Sequence, residues 1–180
     1  MRLNGDRILI RELHLNDFDD YYEYTSDENV GPSAGWKPVT SPEICKRVLS
    51  GNMLSKEMFA IEFKSEKKLI GTISIYNNCV RKYKYCKQLG FSLNSKYWNN
   101  GYMTEAVKLI IQYLFENTDT VVIEAGHHSD NYGSKRVIEK CGFNYDGRLC
   151  KYKLLYDGRL IDADFYSITK EDYERRKRYE

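Results

Sequence analysis

No apolar run in the chain approaches the ~20 residues a membrane-spanning helix needs, and no Cys-x-x-Cys pair occurs. Charge of one sign is also missing: 28 Lys and Arg against 26 Asp and Glu leave a net +2. The first absence argues against a helical membrane protein. The second, with five cysteines at 45, 79, 86, 141 and 150, argues against a disulfide framework and a structural zinc site. The third is too small a charge to predict a nucleic-acid partner. No Gly-x-Gly-x-x-Gly follows the first strand and no Gly-x-x-x-x-Gly-Lys occurs, so dinucleotide and nucleotide-hydrolase readings lack support. The opening "MRLNGDRILIREL" lacks an apolar signal region, so a cytoplasmic protein is expected.

What is present fits one globular domain over residues 1–180, with 42% apolar residues to form a core and 30% charged to solvate it. "RILIREL" (7–13) predicts a strand, 16–30 a helix, 31–38 a loop, and 40–53 a second helix capped by Thr40 or Ser41. Segments 57–63 and 67–78 predict a hairpin, and 85–94 the next strand. Over 102–117, Ala106, Leu109, Ile110, Tyr113 and Leu114 form one apolar helix face. A central strand (120–128), a short helix (130–143) ended by Gly142, two closing strands and a charged terminal helix or tail (169–180) complete the order. A strand-helix-strand crossover inside a mostly antiparallel run means a mixed α/β sheet.

The turn before the helix at 102 is the most informative segment. "KYWNNGYMTEAV" places Gly101 where the first helical N–H groups lack partners and the helix dipole is positive. Such an end binds an anion if side chains let it reach the backbone, which a glycine permits.

Together "LGFSLNSKYWNNGYMTEAV" and "IEAGHHSDNYGSKRVIEKCGF" resemble the Gcn5-related N-acetyltransferase (GNAT) superfamily, in its RimJ/RimL-type branch. The matching residues are Trp98, Gly101, Tyr102, Thr104, Glu105 and Ala106, then Asn131, Ser134, Glu139, Lys140, Gly142 and Phe143. The likeness extends to "RILIREL", "WKPVTSPE" and "DGRLIDADFYSITKEDY". It implies a sheet splayed between two parallel strands (86–94 and 120–128), acetyl-CoA as donor, and an amine acceptor, either a protein N-terminus or a small primary amine. No metal is expected, given the cysteine pattern. Backbone N–H groups of Phe91, Ser92 and Leu93 are expected to hold the pantetheine, with Asn131 beside it. Amides of Trp98, Asn99, Asn100, Gly101, Tyr102, Met103 and Thr104 are expected to hold the diphosphate. Asn99 replaces the family's first turn glycine, and asparagine tolerates left-handed backbone. Met103 replaces an alanine and is expected to crowd the diphosphate path.

Direct transfer needs a base for the amine and an acid for the departing thiolate. Glu124 is the first candidate base, the alternative being a carboxylate facing solvent or paired with a lysine. Ile138 stands where many relatives have a tyrosine acid, so Ser134 is the candidate donor, the alternative being a residue that satisfies the helix start. His127 and His128 are adjacent in a strand and point to opposite faces, so they cannot easily chelate one ion, though one of them is an alternative base at the cleft mouth. The carboxylates between Asp17 and Glu28 form an acidic rim that would attract a cationic amine.

Two rivals remain open. One is a non-catalytic acyl-CoA sensor on the same fold. The other is an RNA-associated protein using Lys82, Lys84 and Lys87, although a hairpin with its lysines on the wet face is the favoured account of them. No nucleic-acid or membrane partner is expected, and apolar edges leave a homodimer open.

Overall fold

The computed structural model describes residues 1–178. The branched run becomes strand β2 (Ile8–Glu12), preceded by a two-residue strand β1 (Leu3–Asn4) too short to show a period. A 3-10 turn over Leu15–Asp17 leads into helix α1 (Phe18–Thr25), which is shorter than the helix expected over 16–30. Asp27 breaks it: its carboxylate accepts the Asn29 N–H at 2.8 Å, an Asx turn that competes with helix continuation. The expected loop at 31–38 contains instead a short helix, α2 (Val30–Ala34). Pro32 falls in its first turn, where the missing N–H has no helical partner to lose. Gly35, with φ of 82°, ends it.

Helix α3 (Pro42–Ser55) is capped by Ser41, not Thr40; the Ser41 hydroxyl accepts the Ile44 N–H and donates to Glu43. The hairpin is β3 (Met58–Phe63) and β4 (Lys68–Tyr76), followed by β5 (Cys86–Leu93). Helix α4 (Tyr102–Asn117), β6 (Val122–His128), α5 (Tyr132–Lys140), β7 (Asn144–Leu154) and β8 (Leu160–Thr169) follow in the expected order. Helix α6 (Lys170–Lys177) forms most of the expected terminal helix, with Thr169 and Asp172 in a reciprocal cap; residues 179 and 180 lie outside the described residues.

Among the described residues one sheet of eight strands runs β1-β2-β3-β4-β5-β6-β8-β7, and only the β5–β6 pair is parallel. Helix α4 packs against one face through Met103, Ala106, Val107, Ile110, Ile111, Leu114 and Phe115. That stripe is rotated from the expected one, leaving Leu109 and Tyr113 only partly buried. Each large apolar side chain buried there stabilises the fold by about 1.5–3 kcal/mol relative to exposure. A second core joins α1 and α3 to the opposite face through Tyr21, Tyr24, Cys45, Leu49, Ala60 and Leu69. On the α1–α3 side α2 meets both β5 and β6, beside the place where that parallel pair separates.

Candidate active site

Parallel pairing between β5 and β6 runs from Cys86↔Val122 to Leu89↔Ala125 and stops. Beyond that point β5 stays with β4 as far as Leu93, while β6 stays with β8 as far as His128. The strands therefore diverge toward their C-terminal ends. The Asn94 N–H donates to Ile70 O on the β4 side at 2.8 Å. Alternation then turns the backbone groups of Phe91 and Leu93 toward the gap, and those of Ser92 toward β4. On the other wall the Ser129 N–H donates to Asp162 O, which by the same rule turns Gly126 and His128 toward the gap. A cavity of about 380 Å³ opens on this wall, lined by Gln88, Gly126, His127, His128, Lys153 and Phe165 among others.

At the end of β5 the chain makes a 3-10 turn (Ser95–Tyr97) and enters α4 through two left-handed residues, Asn99 at φ 61° and Gly101 at φ 81°. Among the described residues no acceptor faces the N–H groups of Asn99, Asn100, Gly101, Tyr102, Met103 and Thr104. Six consecutive free donors at a helix start form a nest for an anion. Side chains hold this turn from behind. The Trp98 indole donates to Leu93 O at 2.7 Å, and the Asn100 amide returns to Trp98 O at 2.9 Å. Arg7 donates to Asn100 O and to Glu105, which also accepts the Arg7 and Ile8 N–H groups. The Met103 side chain is buried in the main core, so the crowding expected of it is not what the structure shows; it leaves only its amide at the surface of the turn.

Glu124 is almost wholly buried and faces neither solvent nor a lysine. Its oxygens accept from the Val80 N–H (2.7 Å), the Arg81 N–H (3.1 Å) and the Arg81 guanidinium (2.8 Å). Burial works to raise its pKa, but these donors outweigh it and hold the carboxylate below its ordinary value. Arg81 also reaches Asp146 and Ser167. Beside this pair lie Cys79 and Cys86, whose sulfurs and the Glu124 carboxylate all fall within 4.8 Å of one another. Spacing alone could not reveal that group, because Cys79 and Cys86 meet only when the 77–85 loop folds back. Burial pushes both thiols up, and Glu124 is already committed to three donors, so the cluster fits protonated core thiols.

His127 is buried, with Nδ1 2.8 Å from His128 O and Nε2 3.4 Å from the Tyr166 hydroxyl. His128 is half-buried against Gly35, where a Cβ would fall 2.2 Å from its ring, so only glycine lets α2 approach. Burial holds the His128 imidazole below its ordinary pKa, and the nearby Lys153 adds to the effect. Asn131 caps α5: its Oδ1 accepts the Ser134 N–H at 2.9 Å, while its Nδ2 donates to Ser33 O of α2 at 2.7 Å. The Ser134 hydroxyl has no recorded partner among the described residues. Phe91, Leu93, Gly126 and His128 thus share the gap, with the 98–104 turn at its β5 end and Asn131 and Ser134 beyond its β6 end. Glu124 sits below it, on a smaller cavity with Arg81 and Asp146.

Four of the six carboxylates expected to form an acidic rim are engaged within the fold, while Asp19 and Glu28 are exposed. Asp17 pairs with Arg11, Glu23 binds Lys68, Lys96 and Asn94, Asp20 accepts the Leu69 N–H, and Asp27 binds Ser95. These carboxylates tie α1 to the sheet instead of facing an acceptor.

Residues 7–144 match a family model described as an acetyltransferase (GNAT) domain. The chain is 30% identical over 175 residues to the uncharacterized N-acetyltransferase YnaD of Bacillus subtilis, covering 96% of this chain and 99% of that one. It is 28% identical to the [ribosomal protein uS5]-alanine N-acetyltransferase of Escherichia coli, covering 96% and 93%. A GNAT-family acetyltransferase from Bacillus anthracis superposes with a TM-score of 0.86 at 27% identity, covering 95% and 99%.

Proposed function

The chain belongs to the GNAT acetyltransferase family, an acetyl-CoA-dependent N-acetyltransferase, and from that premise we propose direct transfer of acetyl to an amine that is either a protein N-terminus or a small primary amine. The observation that carries this reading is the divergence of β5 and β6 after Leu89 and Ala125, with a cavity on one wall and a nest of free amides at one end. A thioester donor supplies an activated acyl group. The amides of Asn99 through Thr104 fit its diphosphate, and Phe91 and the Leu93 N–H present strand-edge groups to its arm, the Leu93 carbonyl being held by the Trp98 indole. Ser92 turns its own backbone toward β4 and supports that edge; Asn131 would approach the arm by exchanging its bond to Ser33.

As the new N–C bond forms and the C–S bond breaks, the amine must lose a proton and the sulfur gains one. We assign proton removal to His128, which lines the cavity and whose burial favours the neutral imidazole. Glu124 holds the Val80–Arg81 loop, because an ionised carboxylate with three donors is a weak base. The unpartnered Ser134 hydroxyl is the group suited to donate to sulfur. An acceptor class including protein N-termini is supported by the uS5-alanine acetyltransferase relative.

The test is calorimetric titration with acetyl-CoA and CoA, then thiol release against a panel of amines and N-terminal peptides. Micromolar binding with turnover on one acceptor class is expected. Binding weaker than millimolar by folded protein would overturn the nest and the reading with it.

A further inference from the structure

Strand β7 contains an irregularity beside the cavity. Leu149 faces Ala163, yet Lys153 faces Ile161, so four steps on β7 span two on β8 and two residues are extra. Lys151 within this bulge has φ of 49°, a left-handed conformation that a lysine adopts only when its surroundings impose it. What imposes it is Asp162, whose carboxylate accepts the Lys151 N–H at 2.8 Å. Bulges re-aim the side chains beside them. Here Tyr152 and Lys153 both turn into the lining of the cavity. Tyr152 packs edge-on against Phe165 with centroids 5.0 Å apart, and Phe165 covers Gly126, so the aromatic wall is fixed.

Lys153 makes no ion pair among the described residues, and no carboxylate lines the cavity. The remaining polar lining is Gln88, His127, His128 and the Tyr152 phenol. Asp20 and Glu23 of α1 are held in bonds to the Leu69 N–H, Lys68 and Lys96, and Asp130 acts on His128 from outside the lining. A cavity with one free cation and no anion disfavours a polyamine and favours a ligand of opposite charge.

Resting on the acetyltransferase reading above, we infer that the acceptor is an amine that also carries a carboxylate, and that Lys153 pairs with that group. Lys153 is a specificity-determining residue, held in place by the Lys151–Asp162 bulge. A free amino acid and a peptide with an acidic residue behind its N-terminus share this chemistry.

The experiment compares matched acceptors: phenylalanine against phenylalaninamide, and peptides with Asp against Asn in second position. The acid member is expected to have kcat/KM about tenfold higher, the scale of one partly desolvated ion pair. Whichever pair shows the difference identifies the source. Lys153→Ala is expected to bring the ratio near one, Lys153→Glu to invert it and Lys153→Arg to preserve it, with affinity for CoA unchanged. A wild-type ratio near one, or a ratio that survives in Lys153→Ala, overturns the inference while leaving acetyl transfer standing. If no acceptor releases thiol, calorimetry with N-acetylphenylalanine and its amide in the presence of CoA reads the same ratio, and equal or absent binding of both overturns it. Failure of the folded protein to bind acetyl-CoA would instead overturn the function proposed above.

Discussion

The Arg81 guanidinium closes over the Glu124 carboxylate, Nη1 to Oε1 at 2.8 Å, and the N–H groups of Val80 and Arg81 complete the enclosure. Two segments 43 residues apart are thereby joined at the base of the strand gap. Removing one member of a buried pair costs about 3–5 kcal/mol. Arg81 is one-third exposed and can rehydrate, so Glu124→Ala should fall near the lower figure.

At this chain length 1 kcal/mol moves Tm by about 2–4 °C. Thermal unfolding of Glu124→Ala is therefore expected about 6–12 °C below wild type, with Glu124→Gln between them because its carbonyl keeps one acceptor. The acid limb of kcat/KM should be unchanged in Glu124→Gln. Loss of that limb with an intact Tm would make Glu124 the base after all.

His128 predicts where that limb lies. Burial favours the neutral imidazole, so its folded pKa is below the ordinary 6.5. The base is then in its working form at pH 7, and kcat/KM falls with acid only below about pH 6.5. Around it Lys153, His127 and Arg159 favour the neutral form and Asp130 opposes them. The acceptor amine titrates too, so two acceptors of different amine pKa should be compared; the limb that does not move belongs to the protein. His128→Gln should remove it and lower kcat/KM by about 10²–10⁴. A depressed pKa also means that the unfolded chain binds the extra proton first. The stability this contributes is complete above the unfolded pKa and is lost as pH falls through the folded one.

Much of this site was legible in the sequence because its parts are local. The strand-turn-helix at 85–117 announces itself by an apolar period, a glycine and two asparagines, and α4 forms over the expected Tyr102–Asn117. Long-range pairings were not legible. Nothing in the spacing of Glu124 says that Arg81 folds back onto it, and six carboxylates near α1 look alike on paper whether they face an acceptor or Lys68 and Lys96. The bulge at Lys151 was invisible for the same reason, since its cause, Asp162, lies on the next strand. Met103 misled by its size, because a turn residue can point its side chain into the core and offer only its amide.

The nest at the start of α4 makes a further pair of variants informative. Gly101 sits at φ 81°, and a Cβ there would lie 3.4 Å from Arg7, an ordinary contact. The cost of Gly101→Ala is therefore mainly conformational, about 1–2 kcal/mol for left-handed backbone. It should appear as a modest drop in Tm and a much larger loss of CoA affinity, because relaxing φ rotates the free amides. Asn99→Gly, at φ 61°, should cost neither stability nor affinity, whereas Asn99→Val should lose both. Calorimetry with CoA reads the affinities. Unchanged binding in Gly101→Ala would show that the amides of this turn do not hold the cofactor.

The carboxylates of α1 act on stability, and the sign of that effect can be worked out. Hydrogen bonds from Lys68 and Lys96 pull Glu23 down to about 2 from an ordinary 4.5. A depressed carboxylate contributes stability that is fully present above its unfolded pKa and is lost as pH falls through the folded value. For Glu23 the window is pH 4.5 down to about 2. Glu23→Gln should therefore lower Tm at pH 7, and the gap from wild type should close on acidification through that window. Because Glu23 is partly exposed and its lysines are hydrated, salt should shrink the gap as well. The same variant, combined with Asp20→Asn, should leave KM for a cationic amine unchanged. A rise in that KM at constant Tm would restore the acidic helix to the acceptor site and count against an anion-seeking cavity.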